Sequence, residues 1–242
     1  MPEEFNPFAA PQTSDAAAPH LVWATDQPEA LRRVKLGLTF VYVGICGILL
    51  AGISLPIVGM MVFGQGPGVE SVAWFGMLVF GLMTLLTLLM VTGELLCTAV
   101  PSESGGKALA IAAVALQGFS FVVGLASGFL LEDTSIEVAI GVQVVLNLLG
   151  IASLVCFVLF MRRVATYIGR YDLVGRATRV LIVGGVAVVL LIGYGIFVAT
   201  LGNQFGPPVG ASFAGVIGGL LILVALVMYA NMVTYLRKAI TA

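Results

Sequence analysis

The sequence predicts an all-α polytopic membrane protein, with six transmembrane helices packed as a bundle and joined by short loops. Three observations predict it. Of the 242 residues, 60% are hydrophobic and 10% are charged, with a mean hydropathy of +1.12; a soluble domain carries about 25% charge. Apolar runs recur at the length of roughly 20 residues that crosses a ~30 Å hydrocarbon core. The 11 Lys and Arg cluster so that six crossings place all of them at one end. The densest cluster is 161–179 (MRRVATYIGRYDLVGRATR), which carries Arg162, Arg163, Arg170, Arg176 and Arg179 between two apolar runs. Such a run marks the side that retains positive charge, so both termini are expected in the cytosol.

Taken in order, residues 1–25 are rich in Pro, Ala, Ser and acidic residues and read as a disordered cytosolic tail. They lack a basic segment followed by an apolar core, so a cleavable signal peptide is not expected. Asn6-Pro7-Phe8 is either a short linear ligand or a chance triplet. Asp26, Pro28 and Glu29 form a helix-start pattern, with Arg32, Arg33 and Lys35 following. The first span, 36–63, would reach about 42 Å, so it must tilt, kink at Pro56 or end early.

The second span is 72–100, with Trp74 at the outer interface. A tight connection, 101–107 (PSESGGK), leads to span three at 108–131 and an acidic outer turn. Span four is 137–161, span five 180–201 and span six 210–235. Between spans four and five, Val164, Tyr167, Ile168, Tyr171 and Val174 share a helical face. This stretch is expected to lie on the headgroups as an elbow, interrupted near Gly169 and restarted near Asp172. Residues 164–170 resemble 232–238, which makes spans three–four and five–six candidate related hairpins.

Glycine is abundant, and small residues let helices approach where lipid supplies no hydrophobic drive. Gly124 and Gly128 form a GxxxG pair. In span six, Ala211, Gly215 and Gly219 make one row and Gly210, Ala214 and Gly218 another. These rows serve an intramolecular bundle, a homodimer face on span six, or both.

No catalytic constellation is visible, and an enzyme is not expected. The single His20 lies in the tail, which excludes HExxH and a membrane-embedded Ser–His pair. The spans hold no Asp pair, and no Walker or dinucleotide-binding glycine pattern occurs. Cys46, Cys97 and Cys156 are dispersed in apolar runs and read as packing residues. No metal, cofactor or nucleic-acid partner is expected; the bilayer, with anionic headgroups at the basic face, is the expected partner.

Two groups of residues remain as site candidates. Glu94 is the one ionisable residue deep in a span, and an intramembrane carboxylate is a functional candidate by default. Trp74 to Glu94 covers about 30 Å of helix, so Glu94 either reaches the basic interface and pairs with Arg162, Arg163 or Lys107, or couples an ion inside the membrane. Gln117 and Ser120 on span three, with Gln143 and Asn147 on span four, form a polar set. It is expected to hydrogen-bond between helices or to line a polar pathway.

The segments Gly93-Glu94-Leu95-Leu96-Cys97, Pro101-Ser102-Glu103-Ser104-Gly105 and Phe160-Met161-Arg162-Arg163, with Tyr167 to Asp172, resemble a group of uncharacterised multi-span membrane proteins of planctomycete-type bacteria. The Asn-Pro-Phe start of the tail shares in this resemblance. It implies a bacterial inner-membrane protein and carries no catalytic residue over. On sequence alone the leading function is a membrane-integral scaffold or accessory subunit acting through its basic face. The alternative is a small transporter or channel that uses Glu94.

Overall fold

The computed structural model describes residues 28–63, 69–130, 135–197 and 209–240. The N-terminal tail with Asn6-Pro7-Phe8, and most of the three outer turns, lie outside the described residues. So do the side chains of Pro56, Gly128 and positions 210–215.

Six long helices and one short turn make up the fold, with no strand among the described residues. Helix α1 is Pro28–Phe63, α2 Val69–Cys97, α3 Lys107–Leu130, α4 Ile136–Tyr167, α5 Tyr171–Phe197 and α6 Val209–Ala239. All six are long and apolar enough to cross a membrane. Helix α1 starts at Pro28, where a missing backbone N–H costs nothing, and continues through position 56 as one element of 36 residues. That is about 54 Å of helix, far more than a ~30 Å hydrocarbon core requires.

Each helix packs on its neighbours in sequence, and α6 closes back onto α1, so the six form a ring. The most extensive interfaces are the antiparallel pairs α1–α2, α3–α4 and α5–α6. The connections at the basic end are short. Between α2 and α3, a 3-10 turn at Ser102–Ser104 ends at Gly105, which takes φ 64°. The Ser104 hydroxyl donates to the Pro101 carbonyl at 2.7 Å and accepts the Gly106 N–H at 3.1 Å.

Between α4 and α5, Gly169 at φ 74° stops the helix in the left-handed conformation that favours glycine. The Arg170 N–H then reaches back to the Ala165 carbonyl at 2.9 Å. Arg170 also grips Asp172 with both ends of its guanidinium, at 3.0 and 3.1 Å, as α5 begins. The break near Gly169 is where the sequence places it. The expected headgroup elbow, however, is not what forms. The apolar face of this stretch is covered by protein, with Val164, Ile168, Leu173 and Ala177 all in the core, while Tyr171 is 73% exposed. The reason is helix length: α4 and α5 run on past the apolar spans and keep packing against α6.

The core is confined to the basic end. Val34, Leu38, Val41 and Ile45 line α1 at four-three-four spacing and meet Cys97 of α2, Phe157, Phe160 and Met161 of α4, and Tyr229, Met232 and Leu236 of α6 within one cluster. Toward the other end, described side chains such as Met77, Phe119, Val138, Val189 and Leu220 are exposed. Among the described residues, the main buried cluster is therefore at the basic end, while α5 and α6 stay in contact further along, at Gly218 and Leu191. Arg176 stacks over Tyr235 at 4.1 Å and Arg237 over Tyr42 at 5.7 Å, which ties α5 to α6 and α6 to α1 at the basic rim.

The segments 164–168 and 232–236 fold alike. Val164 and Met232, Ala165 and Val233, and Ile168 and Leu236 are buried pairwise. Thr166 and Thr234 each donate to the carbonyl four residues earlier at 3.0 Å.

Close backbone approach occurs at Gly37 and Gly93. A Cβ on Gly37 would collide with the Gly93 carbonyl oxygen, and one on Gly93 would lie 2.6 Å from the Gly37 carbonyl and 2.9 Å from the Val41 nitrogen. Gly44 and Gly47 continue the same seam against Met90 and Leu86. Of the expected GxxxG in span three, Gly124 has only Leu146 Cδ1, at 4.0 Å, and makes no tight contact. In α6, Gly218 packs against Leu191 of α5, while Gly219 faces open space.

These contrasts are testable by thermal unfolding in detergent. Gly93→Ala is expected to cost about 1–3 kcal/mol through overpacking. Gly124→Ala is expected to be neutral or to stabilise by up to about 1 kcal/mol, because open space lets the gain in helix propensity stand. A Gly93→Ala variant as stable as wild type would contradict the backbone contact.

Candidate functional site

Glu94 sits where α1, α2 and α6 converge. On α2, Leu86, Met90, Gly93 and Cys97 turn toward α1, and the Gly37–Gly93 contact holds that face down. Its neighbour Glu94 is thereby turned into the bundle and is 2% exposed. Cys97 and Val100, which follow it in the chain, are buried in the core cluster, and in the same cluster Phe157 packs edge-on against Tyr229 with ring centroids 6.4 Å apart.

The Glu94 carboxyl has one oxygen, Oε2, buried without a hydrogen-bond partner among the described residues. The Tyr229 hydroxyl is in the same state. Tyr229 and Cys97 are the ionisable groups within electrostatic reach of Glu94. Cys97 is otherwise turned to α1, its Sγ 3.9 Å from the Val34 carbonyl. Most buried polar atoms in proteins have a partner, so two orphans from two helices in one place mark the centre of the molecule as unusual.

The expected pairing of Glu94 with Arg162, Arg163 or Lys107 does not form. Those three side chains are exposed, while Arg33 pairs with Glu29 and Arg170 with Asp172. The direction of the side chain explains the difference: the Glu94 carboxyl is buried within reach of Cys97 and Tyr229, while the three basic side chains are exposed.

The polar set comes together, but not through the expected bonds. Gln117, Ser120, Gln143 and Asn147 all line one cavity of about 470 Å³ between α2, α3 and α4. Gln143 Nε2 donates to Asn147 Oδ1 at 3.2 Å along α4, not across to α3. The Ser120 hydroxyl is buried without a partner. The bond that does cross from α4 to α3 lies deeper, where the buried Ser153 hydroxyl donates to the Ala113 carbonyl at 2.9 Å.

Thr84 and Thr87 of α2 join the lining. Phe80, Thr84, Thr87, Val91 and Glu94 follow one another at four-three spacing and so share a helix face. Glu94 is about 10 Å beyond Thr87 along that face. The cavity and the carboxyl thus belong to one stripe of α2.

Sequence reasoning singled out Glu94 and the polar set but missed Tyr229 and the threonines. Tyr229 sits in an apolar run of span six, and nothing local distinguishes it from a packing aromatic. The threonines had a signal in their spacing from Glu94. Among the described residues, no three His, Cys, Asp or Glu side chains gather as a metal site. Comparison with known proteins finds no matching family model, curated protein or solved structure.

Tyr229→Phe offers a direct check on the orphan hydroxyl. Removing a buried group that has no partner is expected to leave thermal stability unchanged or to raise it by about 1 kcal/mol. A loss of more than about 1 kcal/mol would mean that the hydroxyl has a hydrogen-bond partner after all.

Proposed function

We propose that this membrane protein is a small transporter or channel in which Glu94 carries the coupled ion, a proton or a monovalent cation. One observation carries the reading. The carboxyl is 2% exposed and has an oxygen without a partner, on the α2 face that continues into a polar cavity. A buried charge is costly unless it is paired, and a structural role would supply the pair. Intramembrane carboxylates without one are the groups through which ions pass.

The scaffold or accessory role that the sequence favours keeps a specific observation of its own. Arg162, Arg163, Arg170 and Arg179 are exposed on the basic face, and Tyr171 among them is 73% exposed. An aromatic ring ringed by arginines suits anionic headgroups or a protein partner. In both readings the basic end faces the cytosol of a bacterial inner membrane. A cysteine introduced at Tyr171 in a cysteine-free background should then react with an impermeant thiol reagent only after the cytosolic face is exposed. Labelling from outside intact cells would reverse the orientation.

The transport reading is tested with full-length protein in liposomes, following proton and sodium entry. Glu94→Gln keeps the shape of the side chain and should lower entry by about tenfold or more, which corresponds to about 1.4 kcal/mol or more on the barrier. Unchanged entry of both ions in a variant that melts like wild type would end the reading.

A further inference from the structure

We propose that the cavity between α2, α3 and α4 binds a neutral, hydroxyl-rich solute of polyol to monosaccharide size. The proposal rests on the transport reading above and adds the chemistry of what is carried.

No charged side chain lines the cavity. Nothing in the lining would hold a charged solute in place, although a small hydrated ion can pass along it. An apolar guest would strand the amides and hydroxyls that face it. The lining offers donors and acceptors side by side. The Gln143–Asn147 bond uses one Gln143 N–H and one Asn147 lone pair, which leaves the Gln143 carbonyl and the Asn147 amide hydrogens for a ligand. Thr87 spends its hydrogen on the Met83 carbonyl at 2.8 Å, so its oxygen is left to accept. The buried Ser120 hydroxyl has no partner and is able both to donate and to accept.

A solute hydroxyl also donates and accepts, and several of them on a short carbon chain match this mixture. The aromatic rings of Phe80 and Phe121 complete the wall. They give the C–H face of such a solute an apolar surface to rest on. The volume of about 470 Å³ is within the ordinary range of small-molecule sites.

A second cavity shows that this chemistry is not general to the bundle. It lies between α4, α5 and α6, has a similar volume of about 430 Å³, and is lined by side chains such as Leu154, Val158, Leu181, Val188 and Ile222. That surface suits acyl chains. A third cavity, at the basic end, is lined by Arg176, Arg179, Asn231 and Tyr235 and is charged, so the uncharged polar lining sets the cavity beside the Glu94 stripe apart from both.

The test uses the full-length protein in liposomes, with labelled erythritol, ribitol and xylose as probes. Uptake above empty liposomes is expected for at least one of them. Ser120→Ala removes a hydroxyl that holds no bond within the protein, so it should fold normally and lower uptake about three- to tenfold, the effect of one hydrogen bond. Asn147→Leu should lower uptake further, with a melting temperature measured alongside to show that the bundle is intact. Ion entry that depends on Glu94 without uptake of any probe would overturn the solute class and leave the transport reading standing. Absence of both would overturn both. Uptake that Ser120→Ala and Asn147→Leu leave unchanged would overturn the cavity as the binding site.

Discussion

The contact between Gly37 and Gly93 sets the rotation of α2, and most of what is distinctive in the molecule follows from that rotation. Lipid gives two apolar helices no hydrophobic reason to associate, so the contact must come from close packing. Each glycine has the other's carbonyl oxygen where a Cβ would stand. With Gly93 pressed onto α1, the next residue on α2 has to point into the ring. That residue is Glu94, the carboxyl that the sequence leaves free to be interfacial or buried. The same rotation turns Thr84 and Thr87 toward α3 and α4, so a carboxyl and a hydroxyl-lined wall come to lie on one face.

The second consequence is the asymmetry of packing along the membrane normal. Large side chains from α1, α4 and α6 fill the ring at the basic end, with Phe157, Phe160, Tyr229 and Met161 fully or almost fully buried. The opposite half of each helix shows exposed Leu, Val, Ile and Met, which in a bilayer meet lipid and not water. A polar cavity lies between α2, α3 and α4, and an apolar one between α4, α5 and α6 reaches Val158, Val180 and Tyr229 of the core cluster. Glu94 and Tyr229 are both buried, each with an oxygen that has no partner among the described residues. In the transport reading it is this unpaired carboxyl that takes up and releases the ion.

Much of this architecture was legible in the sequence, because hydropathy and charge placement act locally. The six spans, the helix start at Pro28 and the stop at Gly169 follow from run length, proline chemistry and a glycine before a charged pair. The polar set was legible as a set: Gln143 and Asn147 stand four apart, and Gln117 and Ser120 face them. What the local pattern does not carry is helix rotation and depth. Gly124 and Gly128 have the spacing of a packing motif, yet Gly124 has one distant contact, whereas Gly37 and Gly93 have no motif between them and make the tightest one. Glu94 read as a partner for Arg162 and Arg163 because length fixes its distance from the end of α2 and not the direction in which it points. Tyr229 could not be recognised at all, since its significance lies in what surrounds it.

The central proposal is that the α2 face carrying Thr84, Thr87 and Glu94 is a pathway entered from the end away from the arginines. Single cysteines placed at Phe80, Thr84, Thr87, Val91 and Glu94 in a cysteine-free background would map it by their reaction with an impermeant thiol reagent applied to either side. The account predicts reaction at 84 and 87 from the side opposite the arginines, falling off at 91 and 94, and no reaction at any of them from the basic side. Reaction at 91 or 94 from the basic side, or silence at 84 and 87 from the other, would contradict it.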